Sequence, residues 1–153
     1  MLAIFDCDGV LVDSSHRYRN LANGSIDLEY WRANSTAEKI AQDRLLPHAD
    51  MYRQMLSCPH TLVAIATARE CKQPDFDFVR ERLGWPNFFV YRKPDDTRRD
   101  YALKIAGLNR LLNLRQTYNR PAHMFEDNPV NIARITEALP HIVAHYVPSN
   151  QGN

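Results

Sequence analysis

Five apolar segments of strand length alternate with helical patterns along this chain, and that alternation restricts its fold more than any other feature. The segments are Leu2–Phe5, Leu62–Ala66, Phe88–Tyr91, His123–Phe125 and Ile142–Val147. Between them, Pro74–Leu83 opens on proline, carries Asp75 and Asp77 in its first turn and Arg80 and Arg82 in its last, and stops at Gly84. Each placement suits helix polarity. Residues 99–114 set Tyr101, Ile105, Leu108 and Leu112 on one amphipathic stripe, which Gly107 weakens slightly. Asn128-Pro129 reads as an N-cap and first helical residue, with Ile132, Ile135 and Leu139 as the buried face. Strands alternating with helices predict a parallel sheet covered on both faces. The expected fold class is therefore α/β: a Rossmann-like three-layer αβα sandwich with a central parallel sheet of about five strands.

Residues 14–58 depart from the alternation. Asp27 is placed to cap a short turn carrying Tyr30 and Trp31. Ser35-Thr36-Ala37-Glu38 reads as a capping box for a helix running to Pro47, and Ala49–Leu56 as another helix. The expectation is a small helical cap inserted after the first strand, within a single domain of residues 1–153. A net charge of +1 lacks the basic footprint of a protein that grips long nucleic acid, although short contacts to a phosphorylated end stay open. Three cysteines without a paired framework fit a reducing compartment. The N-terminus carries no basic leader and no apolar run reaches about 18 residues, so a membrane span is not expected and a cytoplasmic location is. The polar tail Pro148–Asn153 is expected to fray.

Chemistry enters at the end of the first strand, in Asp6-Cys7-Asp8-Gly9-Val10. Two carboxylates two residues apart on a strand project to the same side. Buried alone they repel, and a hard divalent cation such as Mg²⁺ is the natural remedy. The segment reads as a metal-assisted phosphoryl-transfer site. In open parallel sheets ligands gather at the carboxyl ends of the strands, and Thr67 and Glu126-Asp127 fall at two further strand ends.

These pieces resemble the haloacid dehalogenase superfamily of Mg²⁺-dependent phosphohydrolases. Its four motifs occur in order: Asp6-Cys7-Asp8-Gly9-Val10, then Thr67 after an apolar strand, then a lysine, then Glu126-Asp127. The match runs through residues 2–131. A closer resemblance is to the phosphatase domain of phage-type polynucleotide kinase-phosphatases. It is carried by Ser15-His16-Arg17, by Thr67-Ala68-Arg69-Glu70, and by Asp95-Asp96-Thr97-Arg98-Arg99-Asp100 followed by Lys104. No Walker A pattern is present, so no P-loop kinase half is implied. Two positions depart from that group: Glu126 stands where aspartate is common, which leaves the metal role most safely on Asp127, and Ala68 stands where glycine is frequent.

The resemblance implies nucleophilic catalysis through an aspartyl-phosphate. Asp6 would attack phosphorus, and Asp8 would protonate the leaving oxygen and later deprotonate water. Asp6, Asp8 (through its backbone carbonyl) and Asp127 would hold Mg²⁺. Thr67 and the Ala68 N–H would bind a phosphate oxygen. Lys104 would bridge Asp6 and the phosphate, oriented by Asp100 one turn earlier, with Lys93 of Lys93-Pro94 competing for that role. Arg17 and Arg69 would hold the phosphate or the adjoining nucleotide with their planar forks. Glu126 and Asn128 would support the metal site, Asn128 equally reading as a plain helix cap. Trp31, Tyr30 and Trp85 read as base-stacking or packing residues. The implied substrates are nucleotides or nucleic-acid 3′-phosphate ends, because a small cap leaves the phosphate accessible. A sugar phosphate or other small metabolite is the alternative substrate. A non-catalytic phosphate- or partner-binding module is the alternative class, and an oligomer that completes the lid is compatible with either.

Overall fold

The computed structural model describes residues 1–148, so the tail expected to fray lies, beyond Pro148, outside the described residues. The chain runs β1 (Leu2–Phe5), β2 (Val12–Asp13), α1 (Leu28–Ala33), α2 (Ala37–Ala41), β3 (Arg44–Leu45) and α3 (His48–Leu56). It continues through β4 (Leu62–Glu70), α4 (Gln73–Phe78), β5 (Phe88–Arg92), α5 (Asp100–Leu112), β6 (Ala122–Glu126), α6 (Pro129–Ala138) and β7 (Ile142–Tyr146). A five-stranded sheet in the order β5-β4-β1-β6-β7 is parallel throughout. This is the α/β sandwich that the alternation predicts. Among the described residues no helix is long and apolar enough to cross a membrane.

Strand parity sorts the core into two layers. Ala3 and Phe5 pack with Val63, Ile65, Ala49, Tyr52 and Phe78, on the face covered by α3 and α4. Leu2 and Ile4 pack with Ala64, Met124, Leu108, Leu111 and Ile135, on the face covered by α5 and α6. All four β1 side chains are fully buried, which is why this strand reads as an unbroken apolar run. Parity also fixes the next residue: Asp6 follows Leu2 and Ile4 and so faces the α5 side.

The helical readings hold with three differences. Pro74–Leu83 is split into α4 and a π-helical turn over Val79–Leu83, closed by Gly84 at φ 99°. The helix expected to run to Pro47 ends at Ala41, and its cap is Thr36, which accepts from Lys39 N. Its early end follows from Asp43 turning inward to a buried ion pair with Arg17, and from Arg44 pairing with Asp13 as β3 joins β2. In α5 the buried face is Leu103, Lys104, Gly107, Leu108, Leu111 and Leu112, rotated from the expected stripe so that Tyr101 and Ile105 are half-buried. The rotation brings Lys104 to the sheet.

Gly107 has a packing reason. A Cβ there would lie 2.4 Å from Val90 Cγ1 on β5. Gly107→Ala gains about 1 kcal/mol of helix propensity and meets an overpacking cost of about 1–3 kcal/mol. The clash is with a β-branched strand residue that has little rotamer freedom, so the cost wins. The expected result is a Tm lower by roughly 2–8 °C, restored when Val90→Ala is added, as differential scanning calorimetry would show.

Candidate active site

β1 is the strand at which the sheet order reverses, with β4 on one side and β6 on the other. Open α/β sheets place their ligand crevice at the carboxyl end of such a switch point. Asp6 lies one residue past β1, Thr67 within β4 three residues before its last residue Glu70, and Glu126 and Asp127 at the end of β6. Asp6 N continues the ladder by donating to Phe125 O at 2.9 Å. The chain then reverses on Cys7, whose carbonyl accepts from Leu11 N and Val12 N, with Gly9 at φ 86°, a conformation glycine adopts without strain.

That turn corrects one expectation. Asp6 and Asp8 are not two positions of one strand but the strand end and the following turn. They serve separate charge systems. Asp6, Glu126 and Asp127 bring carboxylate oxygens within 4.8 Å of one another, and the Asp8 carboxylate is outside that group. Lys104 Nζ donates to Asp6 Oδ1 at 2.9 Å and to Glu126 Oε2 at 2.6 Å, with all three side chains buried. Burial and the Glu126 charge push Asp6 well above the usual carboxylate range, against the pull of Lys104. For Glu126 burial pushes upward too, but the bond to Lys104 wins and it is held low. The Lys104 ammonium is disfavoured by burial, yet Asp6 and Glu126 outweigh that and raise it.

Asp8 belongs with Arg69. Arg69 Nε donates to Asp8 Oδ2 at 3.1 Å, Nη2 to Asp8 Oδ1, and Nη1 to Asp75 Oδ1 at 3.1 Å. Ser14 Oγ donates to Asp8 Oδ1 at 2.6 Å. Burial raises Asp8, but the Arg69 charge and these bonds prevail, so Asp8 is held below the usual carboxylate range as an anion. Thr67 is buried at the strand end and its Oγ1 accepts from Arg69 N at 3.0 Å. Ala68, half-buried beside it, gives its carbonyl to Arg92 Nε at 2.9 Å.

Arg17 is placed differently from a phosphate ligand. It is fully buried, with Nε and Nη2 on Asp43 at 2.8 and 2.9 Å, Nη1 on Ser35 Oγ at 3.1 Å, and its guanidinium 4.3 Å over the Trp31 ring. Asp100 does not orient Lys104; it accepts from Arg92 Nη2 at 3.0 Å, tying the start of α5 to β5. Lys93 is exposed, whereas Lys104 reaches Asp6. Asn128 caps α6, its side chain accepting from Val130 N and Asn131 N. Tyr30 and Trp85 lie under Arg19 and Arg80, at 4.3 and 4.5 Å. Sequence reading missed Asp43 and undervalued Glu126; Asp43 is in no motif, and only the fold brings it to Arg17 and Arg69.

A divalent cation fits the residues present. Lys104 is bonded to two of the three clustered carboxylates, Asp6 and Glu126, and burial, with the Glu126 and Asp127 charges behind it, raises Asp6. Oxygen-only ligands of this kind suit Mg²⁺. Asp6 and Asp127, with Glu126 beside them, are the residues that would hold it.

Comparison with known proteins agrees with this fold. A family model described as bacteriophage T5 5′-deoxynucleotidase matches residues 1–84, which include Asp6, Asp8, Thr67 and Arg69. No curated protein matches the chain significantly. A chain of the Pnkp1/Rnl/Hen1 RNA repair complex is similar at 18% identity and TM-score 0.66, covering 95% of this chain and 42% of that one. The present chain thus spans well under half of the length of that relative. A haloacid dehalogenase-like hydrolase from Streptococcus pneumoniae is similar at 15% identity and TM-score 0.65, covering 94% of this chain and 93% of its own. A putative β-phosphoglucomutase from Thermotoga maritima is similar at 16% identity and TM-score 0.60, covering 92% and 83%. These likenesses carry the fold, the one that the four motifs implied. With the family model spanning β1 through α4, the chain belongs to the bacteriophage T5 5′-deoxynucleotidase family, on a fold shared with haloacid dehalogenase-like hydrolases.

Proposed function

We propose that this protein is a phosphatase of the haloacid dehalogenase type that is Mg²⁺-dependent, works through an aspartyl-phosphate on Asp6, and takes deoxynucleoside 5′-monophosphates, as the name of its family suggests. The observation that carries the proposal is the Lys104 ammonium set between Asp6 and Glu126 at the switch point of the sheet. We read the chain as one domain whose residues 14–47 form a small cap and whose α3 belongs to the sandwich, since Ala49 and Tyr52 sit in its core.

Bound Mg²⁺ would neutralise charge between the Asp6 carboxylate and the substrate phosphate. Asp6 then attacks phosphorus as the bond to the nucleoside oxygen breaks. Lys104 favours the ionised form of Asp6 against burial and the Glu126 charge, and offsets the charge that builds on the phosphoryl oxygens. Thr67 and the Ala68 N–H are the phosphate donors in this reading. Asp8, ionised while Arg69 grips it, cannot donate a proton in that state. An arriving phosphate dianion competes for the Arg69 fork. As Arg69 turns to the phosphate, Asp8 takes up a proton from solvent water and delivers it to the leaving oxygen, and the proton it later takes from the attacking water returns to solvent. In the second half Asp8 accepts a proton from water, the water oxygen bonds to phosphorus, and the Asp6 carboxylate is regenerated. Arg69 thereby keeps its role as a phosphate ligand, while Arg17 acts from behind it.

The sequence resemblance to polynucleotide kinase-phosphatases offers a second substrate, the 3′-phosphate of a nucleic-acid end, and a structural relative from an RNA repair complex is compatible with it. Phosphate release with Mg²⁺ or EDTA from deoxynucleoside 5′-monophosphates, 3′-monophosphates, 3′-phosphorylated oligonucleotides and sugar phosphates decides between them. The expected result is Mg²⁺-dependent hydrolysis with kcat/KM at least about tenfold higher for the 5′-deoxynucleotide. Equal or better rates on sugar phosphates would overturn the nucleotide reading, and no hydrolysis of any substrate would point to the binding module.

A further inference from the structure

Behind Arg69 lies a buried charge network that no catalytic role explains. Its centre is Asp43, in the cap between α2 and β3, with its side chain wholly buried. Asp43 accepts both fork atoms of Arg17 at 2.8 and 2.9 Å. It also accepts from Arg69 Nη2 at 3.4 Å, and His16 Nε2 lies 3.5 Å away. Trp31 closes the network from the cap side, 4.3 Å below Arg17 and 5.6 Å from Arg69. On the body side, Asp75 holds Arg69 Nη1 while its second oxygen caps the start of α4 through Lys72 N at 2.9 Å.

The three edges of the Arg69 fork therefore have different neighbours. Nε and one side of Nη2 face Asp8, the other side of Nη2 faces Asp43, and Nη1 faces Asp75. Only the Asp8 edge must change partner when a phosphate arrives. The other edges have to stay fixed, or the guanidinium would swing away with the substrate or collapse onto Asp8. A fully buried pair of arginines with carboxylates is costly to dehydrate and is retained where it fixes geometry rather than for stability alone.

We propose that Asp43 is a positioning residue, acting through Arg69: it holds the guanidinium, with the Arg17–Trp31 wall of the cap, at the place from which the fork can pass from Asp8 to the phosphate. Asp43 touches neither substrate nor reacting atoms. The inference rests on the roles given to Asp8 and Arg69 above.

A double-mutant cycle tests it. Steady-state kinetics on a deoxynucleoside 5′-monophosphate would compare wild type, Asp43→Asn, Arg69→Lys and the double variant, with thermal melts to verify folding. Asp43→Asn keeps the shape and loses the charge. The expected result is a fall in kcat of about 30-fold for Asp43→Asn, with KM within about threefold. The double variant should then match Arg69→Lys within about threefold. Losses that multiply, or a loss confined to KM, would overturn the proposal. If Asp43→Asn does not fold, Arg17→Lys enters the same cycle; it keeps the buried positive charge but gives up the fork, and its smaller loss should likewise vanish beside Arg69→Lys. Arg69→Lys as active as wild type would remove the role given to Arg69 itself, and this proposal with it; that arm of the cycle leaves Asp43 untouched, so the two failures are distinguishable.

Discussion

Asp6→Asn is expected to abolish turnover while leaving the metal-free protein at least as stable as wild type. The kinetic half follows from the role proposed for Asp6: an amide oxygen cannot form an aspartyl-phosphate, and loss of a nucleophile costs at least about 10⁴-fold in kcat. The stability half runs against intuition, because Asp6 accepts a bond from a buried lysine. Asn retains an oxygen for Lys104 and removes the charge that burial and Glu126 oppose. The folded state binds the Asp6 proton more tightly than the unfolded chain does. Wild type therefore loses stability as pH climbs from about 4, the unfolded carboxylate value, up through the raised folded value. The Asn variant does not. In EDTA its Tm should exceed that of wild type by more at pH 8 than at pH 5. A lower Tm at pH 8, or activity within tenfold of wild type, would refute this account of Asp6.

What the sequence discloses about this protein tracks the range over which each interaction acts. The strands were legible because β1 is buried on both faces and leaves no polar position between Leu2 and Phe5. The α6 cap was legible because Asn128 bonds to residues two and three further on. Asp6, Thr67 and Asp127 could be placed near one another because a parallel sheet gathers strand ends, whatever lies between them, whereas Lys104, on a helix, joined them only through the family resemblance. The failures concern side chains that choose among several partners. Asp100 and Lys104 share one helix at a favourable spacing, yet Asp100 turns to Arg92 on β5 and Lys104 turns inward to Asp6. Arg17 and Arg69 look alike as lone arginines in the sequence, but Asp43 takes the whole fork of one and a single edge of the other. No periodicity encodes that choice, since it depends on Asp43 turning inward to Arg17, a contact between segments far apart in the sequence that ends α2 at Ala41.

Lys104→Met should produce the largest loss of stability at this site, and a loss that Mg²⁺ partly reverses. Met fills the volume of the lysine stem, so the packing of α5 on the sheet survives. What disappears is the ammonium bonded to both Asp6 and Glu126. Removing one partner from a buried ion pair costs about 3–5 kcal/mol, because the remaining charges are left without compensation. At this chain length that corresponds to a Tm lower by roughly 10 °C in EDTA. A divalent cation held by Asp6 and Asp127 would supply part of the missing charge, so adding Mg²⁺ should raise the Tm of the variant more than that of wild type. Turnover should stay about 10²–10³-fold down even at saturating Mg²⁺, since the cation cannot replace the ammonium that donates to Asp6. Lys93→Ala, at an exposed position, serves as the control and should change kcat by less than about twofold. If Lys104→Met melted like wild type in EDTA, the buried lysine would not be the group that holds these carboxylates together. If Mg²⁺ raised both melting temperatures equally, the cation would bind somewhere other than beside Asp6. Either outcome bears directly on the arrangement at the switch point, where Lys104 opposes the buried charge of Asp6 and Glu126 and a divalent cation beside Asp127 would oppose the rest.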